Sequence, residues 1–157
     1  MGRRFSIACM AAIAAASAGT ALADSAPAPD PFAKFAADGS VVLAVQAPFA
    51  AQGGEVRLSV YDKPETFLEM AAIKHHGPVN DDGVALITLN GLEAGEYSFV
   101  AYYDANGDGK LNRSVLGVPT EPLIFSNDIK PKLRKPTFDE TKVDVAPGAV
   151  VVLTMAG

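Results

Sequence analysis

Asp104-Ala105-Asn106-Gly107-Asp108-Gly109-Lys110-Leu111-Asn112 concentrates oxygen-bearing side chains in one short run. The oxygens fall at alternate positions, Gly109 stands where a cation loop must turn sharply, and Leu111 follows two places later. This matches the first nine positions of a calcium loop. Alternate spacing lets Asp104, Asn106 and Asp108 converge on one point as the chain curls. The Lys110 carbonyl would add a backbone oxygen, and Asn112 would act directly or through water. The twelfth position, where a bidentate Glu closes such a shell, is Val115, so a complete helix-loop-helix site is excluded. Further ligands would come from Glu121, or from Asp62 if alternating strand directions bring Tyr61-Asp62 and Tyr103-Asp104 to the same end of the domain. Hard oxygen donors favour Ca2+ over softer metals, and so short a set would hold it at roughly 10⁻⁴ to 10⁻³ M. The other reading needs no ion, because Asn106-Gly107 and Asp108-Gly109 also suit a tight turn through left-handed backbone angles.

Other reactive residue types form no recognisable set. His75 and His76 are the two histidines of the chain. They are neighbours without a further nitrogen or sulfur ligand, which reads as a solvated loop. Nucleophilic catalysis needs a hydroxyl or thiol beside a base, and there is no G-x-S-x-G, so no catalytic constellation is expected. Asp81-Asp82 and Asp139-Glu140 read as turn and surface carboxylates. Lys130, Lys132, Arg134 and Lys135 form a basic run that could face an acidic partner but is best read as solvated. Asn112-Arg113-Ser114 spells a glycosylation acceptor, relevant only in a host that glycosylates exported chains.

The elements that must position these residues have a period of two. Val41–Ala47 is a short apolar run, and Glu55–Tyr61 alternates Val56, Leu58 and Val60 with Glu55, Arg57 and Ser59, a half-buried strand. Pro64 followed by Phe67, Leu68 and Ala71 predicts a short helix within Glu65–Lys74. Strand signals return at Val84–Leu89, Glu96–Tyr103, Thr137–Val145 and Ala149–Met155, separated by Asp81-Asp82-Gly83, Gly91, Gly95 and Pro147-Gly148. The expected fold is all-β: an immunoglobulin-like or prealbumin-like β-sandwich of about six to seven strands, with one short helix and one long ordered connection. That connection, from Tyr103 to Phe138, exceeds thirty residues, far beyond the usual loop, and such segments are commonly functional.

Of 157 residues 49% are apolar, but sixteen of those apolar residues lie in the first 23. Arg3-Arg4, the apolar run Phe5 to Ala16 and the small-residue ending Ala21-Leu22-Ala23 read as a signal peptide, residues 1–23. The protein is therefore expected to be exported, periplasmic or extracellular, with no transmembrane segment after cleavage. Cleavage would remove Cys9, the single cysteine, so no disulfide could staple the fold. It would leave 11 basic against 18 acidic residues, a net charge of −7, which argues against nucleic acid as a partner. Residues 24–38, rich in Ala and Pro, read as a flexible linker. Residues 39–157 make one domain.

Four blocks of the chain occur together in a known order. They are Tyr103 to Asn112, Leu116-Gly117-Val118-Pro119-Thr120-Glu121, Phe125-Ser126-Asn127 and Pro136-Thr137-Phe138-Asp139-Glu140-Thr141-Lys142. With Gly95-Glu96-Tyr97, they resemble the exported bacterial domain of unknown function family twenty-one forty-one, a likeness running from about Val41 to Met155. The resemblance implies an uncharacterised periplasmic or secreted β-sandwich whose signature is the loop, the L-G-V-P-x-E turn and the F-S-N segment. Asn112 stands where the family often has Asp, which lessens any ion role. Pro122-Leu123-Ile124 replaces a more glycine-rich, aromatic stretch. Glu121, Phe125, Ser126 and Asn127 are the expected signature or partner surface.

The function expected is a non-enzymatic binding or structural module with a Ca2+-stabilised loop as one reading of 104–112. Its partner would be a ligand or envelope component that the sequence does not name, and its oligomeric state is not specified. An alternative is a carbohydrate or cell-envelope binding module that uses Tyr102, Tyr103 and Phe125 as a stacking platform. A transthyretin-like hydrolase is the least supported.

Overall fold

A computed structural model describes residues 31–36, 38–50, 54–130 and 134–156. The expected signal peptide and most of the expected linker lie outside the described residues. Of that linker, Ala33–Ala36 is a 3-10 helix with Ala36 buried, lying against the first strand. Eight strands follow, one or two more than expected: β1 (Val41–Gln46), β2 (Glu55–Tyr61), β3 (Ile73–Pro78), β4 (Val84–Leu89), β5 (Gly95–Asp104), β6 (Leu123–Phe125), β7 (Lys142–Val145) and β8 (Val150–Thr154).

The strands form two sheets. The smaller has the order β4-β1-β8, with β1 antiparallel to β4 and parallel to β8. In the larger, β2 lies between β3 and β5, while β6 and β7 share the far edge of the long strand β5. Both sheets contribute to one core. Val41, Leu43 and Val45 of β1 and Ile87 of β4 meet Val56, Leu58 and Val60 of β2, Phe99 and Ala101 of β5 and Ile124 of β6. The alternation read along β2 is the burial pattern observed, because one face of each strand must leave water.

Two segments differ from expectation. Within Glu65–Lys74 helical geometry is confined to Pro64–Thr66, because Leu68 takes a φ of 63°, and the chain then enters β3. The expected strand Thr137–Val145 starts instead as a one-turn helix, α1 (Phe138–Thr141). Glu140 Oε2 accepts the Thr137 backbone N–H at 2.8 Å, a reciprocal cap that favours a helical start over a strand. Phe138 then joins Tyr61, Val100 and Phe125 in a second apolar cluster, flanked by Phe67 and Leu68, on the face of the larger sheet away from the shared core.

Candidate functional site

The loop after β5 is built around a buried carboxylate. Asp104 ends β5 directly opposite Glu55, the first residue of β2, and is 0% exposed. Its Oδ2 accepts from Arg57 Nε at 2.7 Å and from the Gly109 N–H at 2.8 Å, and its Oδ1 accepts from the Gly107 N–H at 2.7 Å. Burial raises the Asp104 pKa, but the hydrogen bonds from Arg57, Gly109 and Gly107 and the guanidinium charge outweigh it. The carboxyl therefore sits below its ordinary value. Gly109 makes the arrangement possible: its φ is +78°, and a Cβ there would stand 3.4 Å from the guanidinium carbon.

The remaining polar residues of the loop satisfy one another. Asp108 Oδ1 accepts the Lys110 N–H at 2.9 Å, and its Oδ2 accepts from the amides of Asn106 and Asn112 at 3.2 and 3.3 Å. These bonds, the Lys110 N–H first, hold the Asp108 carboxyl below its ordinary pKa. Asn106 Oδ1 accepts the Asp108 N–H at 3.0 Å, and Glu121 Oε2 accepts the Asn112 N–H at 2.9 Å. Asp104, Asn106, Asp108, Lys110, Asn112 and Glu121 are thus brought together by hydrogen bonds. Asp62 is not: Tyr61 pairs with Ser98 while Glu55 pairs with Asp104, so Asp62 lies at the opposite end of β2. The unforeseen strand β3 reverses the count of strand directions on which the shared end depended.

This donor set does not fit a calcium ion well. Both Asp104 oxygens are taken by N–H donors, and the cation at the loop is Arg57, which also reaches Glu55 Oε2 at 3.1 Å. Among the described residues, no group of three or more His, Cys, Asp or Glu side chains is placed to hold a metal ion. By its sequence position Arg57 is one of the polar-face residues of β2. Its role depends on the register between β2 and β5, which no local signal carries.

The signature residues beyond the loop lie mostly inside. Phe125 and Ser126 are buried, not part of an exposed partner surface. Ser126 Oγ accepts the Phe99 N–H at 2.9 Å and donates to the Thr141 carbonyl. Asn127, at a φ of 62°, gives its side-chain N–H groups to the carbonyls of Glu140 and Lys142 at 3.2 and 3.1 Å. Asp128 Oδ1 accepts the Thr154 N–H of β8 at 3.1 Å. The F-S-N segment therefore joins β5, α1 and β7, and the residue after it reaches the smaller sheet.

The long connection does more than link β5 to α1. Its described parts line a groove of about 760 Å³ on the outer face of the larger sheet. Ser59, Tyr61, Val100, Tyr102, Leu123 and Phe125 lie on that face by register, and the walls come from the segment near 111–123 and from Lys130, Arg134, Lys135 and Pro136. Tyr102 faces the groove, and burial raises its hydroxyl pKa. Tyr103 belongs to the opposite face, edge-on to Phe49 at 5.5 Å. With Phe125 buried, the three rings form no common stacking platform. His75 and His76 lie exposed on the edge strand β3 and not in a loop, with His76 Nδ1 3.3 Å from Glu55 Oε1.

A family model described as "Uncharacterized protein conserved in bacteria (DUF2141)" matches residues 47–152. No curated protein and no solved structure matches the chain.

Proposed function

The chain belongs to that bacterial family, and we propose that it is an exported β-sandwich of the immunoglobulin-like or prealbumin-like kind that binds a small ligand without transforming it. The groove carries this reading: a volume of about 760 Å³ over a largely apolar floor lies within the range of small-molecule sites. A connection of this length is well used if it walls such a site. Export rests on the three-part pattern of residues 1–23, and a cell-envelope component is the natural ligand of a protein in that compartment. Binding in preference to catalysis is supported by the distribution of reactive groups. Both histidines sit on β3, which lines no part of the groove, and the loop carboxylates are committed to N–H donors.

Ser59 lies on the groove floor at the centre of β2, so Ser59→Trp would fill the cavity from a strand that stays paired. Thermal unfolding should be followed while lipid and saccharide fractions of a bacterial envelope are added. At least one fraction should raise the Tm of the wild type and not of Ser59→Trp. Equal shifts in both proteins, or a shift in neither, would remove the groove as the site. Expression of the full chain followed by fractionation and intact-mass measurement tests export, which requires a product beginning at Asp24.

A further inference from the structure

Resting on the groove as the binding site, we propose that its occupant is a single anionic amphiphile, an apolar chain ending in an acidic head. The first observation is charge segregation. Beyond Ala23 the chain carries 11 basic and 18 acidic residues, yet the groove is lined by Arg113, Lys130, Arg134 and Lys135 and by one acid, Glu121. The Glu121 oxygens are turned toward Asn112 and Ala105. Arg134 is neutralised by Glu140, and Arg113 donates to the Gly117 carbonyl. Lys130 and Lys135 are exposed and make no ion pair among the described residues. An acidic protein that gathers cations around one low-dielectric groove concentrates anions there.

The second observation is an apolar turn held out at the rim. Leu116 is 86% and Val118 59% exposed, and both line the groove. The turn is fixed by Ser114 N–H to the Val118 carbonyl and Gly117 N–H to the Ser114 carbonyl, each 2.8 Å, with Arg113 bracing it. A pinned turn cannot fold its apolar side chains inward, so they remain in water until something covers them. An acyl chain lying on the half-buried Leu68, Tyr102 and Leu123 with its head between Lys130 and Lys135 would cover the floor from the side on which Leu116 and Val118 stand. It would pair both lysines with a single charge.

The probes are dodecanoate, dodecyltrimethylammonium and 1-dodecanol, each kept below its aggregation limit, with binding read by calorimetry. Dodecanoate should bind most tightly, Ser59→Trp should abolish binding, and Lys130→Ala/Lys135→Ala should weaken it roughly tenfold while the ligand-free Tm is unchanged. Equal binding of all three probes, insensitive to the lysine pair, would overturn the charge assignment and leave the groove standing. Binding of none, with a saccharide fraction still raising Tm in a Ser59-dependent way, would overturn the ligand class alone. Failure of every fraction and probe would remove both readings. Cosedimentation with phosphatidylglycerol vesicles in the absence of dodecanoate binding would make a bilayer the occupant and refute a single bound molecule.

Discussion

Arg57 and Asp104 are 47 residues apart in sequence and 2.7 Å apart at Nε and Oδ2. The contact fastens the start of β2 to the loop that begins the long connection. Because Asp104 is out of water, the two partners are not equivalent. Removing the guanidinium strands a buried negative charge, whereas removing the charge leaves a neutral amide with one acceptor oxygen. Arg57→Met should lower Tm by about 10 °C and Asp104→Asn by less. The double variant should fall well short of the sum, as measured in a calorimetric double-mutant cycle. Additive losses would mean that the pair does not act as a unit.

The same contact bears on calcium. A guanidinium already supplies positive charge to Asp104, and N–H donors occupy both its oxygens. Millimolar Ca2+ and EDTA should therefore give superimposable melting curves. A rise in Tm with Ca2+ that Asp108→Ala abolishes would restore the ion reading of the loop.

Ser126→Ala should destabilise out of proportion to its size. The hydroxyl is buried and serves the Phe99 N–H and the Thr141 carbonyl. Its loss leaves at least one polar group unpaired, at a cost of about 2 kcal/mol. Urea unfolding should show a lower midpoint with an unchanged m-value.

Gly54 has a φ of +93°, and a Cβ there would fall 2.5 Å from the Tyr103 hydroxyl oxygen. Gly54→Ala should lower Tm through both backbone strain and this overlap. Adding Tyr103→Phe should recover little, because the ring carbons at 2.6 and 2.7 Å remain. Full recovery would assign the cost to the hydroxyl alone.

Stability should also depend on pH through Glu140. Its hydrogen bond from Arg134, followed by that from the Thr137 N–H, lowers its pKa from 4.5 to about 2. The folded value lies below the unfolded one, so this contribution is present in full above about pH 4.5 and is lost as pH falls toward 2. Asp104 and Asp108 are lowered in the same sense. Urea titrations across that window should show Glu140→Gln to be less acid-sensitive than the wild type. Equal slopes would count against the Arg134 pair.

β2 was legible to the residue because alternation of Val and Leu with polar neighbours is local information, and β4 because the turn Asp81-Asp82-Gly83 marks the start of its apolar run. β3 was not, because Ile73-Lys74-His75-His76-Gly77-Pro78 forms an edge strand with little apolar surface to bury. β6, three residues long, is too short to show any period. The parity error from β3 misplaced Asp62, whereas Glu121 was correctly brought to the loop. The loop's hydrogen-bonding residues could be read from their spacing. Arg57 and the groove could not, since both arise where β2, β5 and distant parts of the connection come into register. The buried state of Phe125 and Ser126 was hidden for the same reason.

The pairing of β1 with β8 sets an order of events for the newborn chain. β1 is the central strand of its sheet, and one of its two neighbours is β8, the last strand among the described residues, tied further by the Met155 N–H to the Gln46 carbonyl at 2.8 Å. Until β8 has formed, β1 has an open edge and the core one missing wall, so native closure depends on a strand far downstream of β1 in the chain.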